Sequence, residues 1–86
     1  MKKLNTFTIH GTAINSSHEL KLDEISIVAD ANTLELIGNF FINAAKEMKK
    51  NELEHLHLQD VASNFSYDKH VDIIILNKDV VMATSN

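Results

Sequence analysis

The sequence contains no cysteine and no proline, only two glycines, and no apolar run near the roughly eighteen residues of a membrane span. Without cysteine, a disulfide framework and thiolate metal sites are excluded, and the composition fits a reducing cytoplasm. Gly11 and Gly38 alone cannot build a glycine-rich loop that cradles phosphate. The lysines are scattered or gathered near one helix end, so the basic stripe of a nucleic-acid binder is missing. Met1-Lys2-Lys3-Leu4 begins like a secretory leader, but Asn5, Thr6 and Thr8 interrupt any apolar core. The expectation is a soluble cytoplasmic protein that meets neither membrane nor nucleic acid.

What is present is a short acidic chain of 86 residues with a net charge of −4. It shows no internal repeat and no low-complexity linker, which predicts a single small domain over residues 1–86. At this size one hydrophobic core is barely sufficient, and a partner or a metal often completes the fold. The acidity suits a basic protein partner, whose encounter it would steer.

The stretch from Asp30 to Lys50 is the one long segment with a helical period. Leu34, Ile37, Phe41, Ala44, Ala45 and Met48 recur at three- and four-residue steps, and Phe40 widens the stripe. Asp30 is the expected N-cap, Lys46, Lys49 and Lys50 lie at the end where the helix dipole favours cations, and Asn51 is the expected left-handed stop. Gly38 in mid-helix suggests a close approach to a sheet. A lone apolar stripe does not return the entropy of ordering such a segment, so the helix requires packing.

The rest reads as short strands. Residues 6–14 alternate polar and apolar, with Phe7, Ile9 and Ala13 expected inward. After a turn at Asn15-Ser16-Ser17-His18, Leu20 and Leu22 lead into a second strand, Ile25–Ala29, and the short link predicts an antiparallel hairpin. Leu53–Leu58 alternates again. Val71–Leu76 is the apolar run of a strand covered on both faces, and Val80–Met82 adds a short piece. The predicted fold is α+β, a two-layer ββαββ domain in which one helix packs across one face of a four-stranded, mainly antiparallel sheet. Its open face would carry Val28, Ile74 and Leu76. That is too apolar for free surface and predicts an interface, in its simplest form a homodimer.

Among polar residues, His55-x-His57 places two imidazoles on one strand face, where His10 could join them around a metal ion. No carboxylate stands at a ligand spacing, so the histidines are expected to be solvated or interfacial, with no metal and no cofactor. Ser63 and Ser66 lie near Asp68 and His70 without a nucleophile elbow, so an enzyme is not expected. Asp60 and Asp72 flank a loop with Phe65 and Tyr67, the composition of a contact patch with aromatic anchors and a charged rim.

Several of these segments resemble a known family. Ile27-Val28-Ala29-Asp30 opening a helix with Leu34 and Ala44-Ala45, then His55-Leu56-His57-Leu58-Gln59-Asp60, then Asp72-Ile73-Ile74-Ile75, are similar to the Immunity protein 32 family. These are small bacterial proteins of polymorphic toxin systems, inferred to neutralise a cognate toxin. The resemblance covers about residues 20 to 78. It implies a non-catalytic protein that masks a toxin, and a basic nuclease would suit the acidity of this chain. His55, His57, Asp60 and Asp72 match the family's recurring polar positions, while the Phe65–Tyr67 loop matches none. The residues expected to bind the partner are therefore His55, His57, Asp60, Phe65, Tyr67 and Asp72.

Overall fold

A computed structural model describes residues 2–84, and side chains as far as Val81. Strand β1 (Ile9–Gly11) pairs antiparallel with β2 (Leu20–Leu22), and β3 (His55–His57) with β4 (Ile74–Leu76). Helix α1 (Ala31–Asn51) lies between the two pairs in sequence. Helix α2 (Leu58–Val61) follows β3 directly, and α3 (Lys78–Thr84) follows β4. The architecture is α+β. It is not the expected four-stranded sheet with one helix: there are two separate two-stranded sheets and three helices among the described residues.

The long helix forms for the predicted reasons, with one correction at each end of the argument. Asp30 is extended and its carboxylate accepts from the Thr33 N–H at 2.8 Å, while Lys49 and Lys50 occupy the last turn. The left-handed stop is Glu52, at φ 51° and ψ 40°, not Asn51. Asn51 is still helical, and its side-chain amide donates to Glu47 one turn back at 2.7 Å. Gly38 does not permit a close approach, because a Cβ there would meet nothing within 4 Å.

The hairpin joining β1 and β2 turns where the polar cluster predicts. Asn15 takes a positive φ of 65°, and the Ser16 N–H donates to the Ala13 carbonyl at 3.0 Å. The ladder is much shorter than the alternation it was read from. Phe7 and Ala13 lie outside it and are exposed, so the inward set reduces to a half-buried Ile9. Ile25–Ala29, expected as the greater part of the second strand, belong to no ladder. Without that segment in a ladder, the first hairpin stays a two-stranded sheet of its own.

The buried core is small. Phe40 and Ala44 are the buried apolar residues among those described. Ile37 and Met48 are half-buried, whereas Leu34, Phe41 and Ala45 are exposed. At 9.7 kDa a folded monomer is expected to expose about 5,100 Å², and this chain exposes 7951 Å². Its radius of gyration is 14.0 Å, against about 12 Å for a compact domain of this length. The polar segment Asn77-Lys78-Asp79 does not merely end the last strand. Asn77 is buried, accepts the Asp79 N–H on its side-chain oxygen at 3.1 Å, and so caps α3 where a short strand was expected.

Candidate functional site

The best-ordered polar cluster stands where β3 gives way to α2. The β3–β4 register pairs His55 with Leu76 and His57 with Ile74, so these four side chains share one face. Pairing continues one step beyond β3, where the Leu58 N–H donates to the Ile73 carbonyl at 2.9 Å. At the next step a side chain takes over from the backbone. The Gln59 N–H donates to Asp72 Oδ1 at 3.0 Å, while Asp72 Oδ2 lies 2.8 Å from His57 Nδ1. The chain can therefore leave the ladder and begin α2 without stranding a half-buried amide.

Because a carboxylate accepts, this contact assigns the ring proton to Nδ1 of His57 and fixes the orientation of the ring. In the neutral ring Nε2 is then an acceptor, and it has no partner among the described residues. The His55 ring meets His57 edge-to-face with centroids 5.4 Å apart, and its own Nδ1 lies 3.7 Å from Glu54. Gln59 extends the cluster outward, its side-chain oxygen accepting from the Tyr67 hydroxyl. Tyr67 is 73% exposed and stands edge-to-face on the half-buried Phe65, with centroids 5.0 Å apart. Phe65 also leans on His70. His70 in turn accepts the Ser66 N–H on Nδ1 at 2.9 Å, which closes the 66–70 turn.

Five of the six expected partner-binding residues thus fall in one connected cluster: His55, His57, Phe65, Tyr67 and Asp72. Asp60 stands apart from its bonds, exposed in the first turn of α2, with a carboxylate that has no partner among the described residues. Gln59 was not among the residues expected to bind, although it joins the two halves of the cluster. Nothing in its type or spacing marks it, because its role arises from the 13-residue step to Asp72. Among the expected interface residues, Ile74 and Leu76 share a face and are 49% and 60% exposed. Val28 is 99% exposed but lies on neither sheet.

His10 does not join His55 and His57. It approaches Thr8 and Glu19, and among the described residues no three His, Asp or Glu side chains are grouped to hold a metal. The Ser66–His70 contact involves the serine backbone, so it arms no hydroxyl for attack. A separate depression of about 280 Å³ lies between the end of α1 and the start of α3, lined by Ala45, Met48, Lys49, Asn77 and Asp79. No helix among the described residues is long and apolar enough to cross a membrane. Compared with family models, curated proteins and solved structures, the chain matches none of them.

Proposed function

We propose that this chain is a non-catalytic protein-binding domain that masks a cognate toxin, as the immunity proteins it resembles are inferred to do. The observation that carries the reading is the bond arrangement at Asp72, which holds His57 and Gln59 in place beneath a rim of exposed His55, Asp60 and Tyr67. Fixed polar groups under an aromatic, acidic rim lower the entropy cost of binding, which is what a recognition surface needs. An active site would instead need an armed nucleophile or a pair of carboxylates about the reacting atom, and at the centre of this cluster Asp72 is already engaged on both oxygens. The net charge of −4 favours a basic target such as a nuclease.

The test is titration calorimetry against a basic toxin encoded beside the gene, together with growth rescue on co-expression. Expected are tight one-to-one binding and rescue, both weakened about tenfold or more by Tyr67→Ala and by Asp60→Lys. Full toxicity in the presence of the folded chain would sink the toxin half of the reading. Unchanged binding by both variants would sink the site.

A further inference from the structure

Residues 24–29, Glu-Ile-Ser-Ile-Val-Ala, are the most anomalous stretch of the molecule. Every one of them is exposed, and none makes a hydrogen bond. Five of the six are uncharged, three are β-branched aliphatics, and Val28 stands almost wholly in water. Such a segment is a template for strand pairing and a hazard if left open. A second unpaired edge lies elsewhere in the fold. Among the described residues strand β4 pairs only with β3, and Ile74 and Leu76 on it are exposed.

We infer that residues 24–29 of one copy pair antiparallel with the free edge of β4 in a second copy, reciprocally about a two-fold axis. Charge favours this arrangement over one alternative. If two copies of the segment paired with each other about Ile27, Glu24 would oppose Asp30 at both ends, a like-charge pairing that disfavours it. Against β4 with Ile27 opposite Ile74, the neighbours are complementary. Ile25 meets Leu76 and Val28 meets Ile73, while the small Ala29 falls opposite Asp72. Beyond the end of that ladder Asp23 falls beside Lys78, the first residue of α3, whose ammonium donates to the Thr6 carbonyl and has two further donors.

The exposed area is more than enough for a second copy as the occupant. The surface exposed beyond that of a compact monomer of 9.7 kDa is about 2,800 Å² per chain. Obligate homodimers bury roughly 1,000–2,500 Å² from each partner. This inference is independent of toxin binding, and its test uses the chain alone.

Light scattering across a concentration series should give a mass twice 9.7 kDa. Ile27→Pro, which removes a backbone donor from a segment outside every element, should give a monomer with α1 intact by circular dichroism. Asp23→Lys and Lys78→Asp should each raise the dissociation midpoint about fivefold or more. Mixing these two variants should restore it, because each copy then supplies the charge the other lacks. A wild-type monomer at 100 μM (a test concentration on the order of cellular protein levels) would overturn the inference. So would an unchanged dimer in Ile27→Pro, or a failure of the mixture to rescue, which would place the pairing within one chain.

Discussion

Asp72 has two carboxylate oxygens and gives each to a different donor, His57 on one side and the Gln59 backbone on the other. Asp72→Ala therefore strands a half-buried amide as well as freeing a ring, whereas His57→Ala strands only one side of a carboxylate that water can reach. We expect Asp72→Ala to cost about 1–3 kcal/mol, and more than His57→Ala, in urea unfolding. Equal costs would mean that the Gln59 bond contributes nothing. Gly38 offers the opposite case: no neighbour occupies the space a methyl group would fill, so Gly38→Ala should stabilise by about 0.5–1 kcal/mol. Asp30 adds a pH dependence. Hydrogen bonding from Thr33, from its side chain first and then its backbone N–H, holds the Asp30 carboxyl below its ordinary value of 3.8. A depressed value means the cap contributes fully above pH 3.8 and is lost as pH falls through the lower, folded-state value. Helicity of α1 followed by circular dichroism should fall in that acid window in the wild type, and this component should be absent in Asp30→Asn, which caps without titrating.

At the scale of elements, what could be read from the sequence was what depends on neighbours in the chain. The span of α1 followed from its period and from Asp30, and the β1–β2 turn from Asn15 and the serines beside it. His57 and Asp72 were both singled out in the sequence, His57 by the His55-x-His57 spacing and Asp72 by its place flanking the aromatic loop. Their contact was not, because it depends on the register between β3 and β4. Residues 24–29 alternate as a strand should, but alternation specifies a face and not a partner, so the expected four-stranded sheet did not follow. Helix α3 was missed for a different reason. Asn77 followed by Lys78-Asp79 is an N-cap signal as well as a strand terminator, and the helical option was the one realised. Asn77→Ala should cost about 1–2 kcal/mol and selectively raise amide exchange in α3, since it removes a buried cap. Exchange raised equally in α1 would show the cap to be part of a wider core.

For the whole molecule, the decisive quantity is surface. Two buried apolar residues in the described core cannot hold 86 residues against chain entropy without further burial. Such exposure supports association, and the two proposed interactions would divide that burden. The strand edges are assigned to a second copy, and the His57–Asp72 cluster, with its exposed rim, to a toxin. Because His55 and His57 share a face with Ile74 and Leu76, the proposed toxin surface would lie beside the proposed dimer seam. The most direct test is amide hydrogen exchange of residues 24–29 as a function of protein concentration. The account predicts rapid exchange in dilute solution and protection that rises with concentration in step with dimer formation. Protection independent of concentration would contradict it, and would mean that the segment finds its partner strand within its own chain.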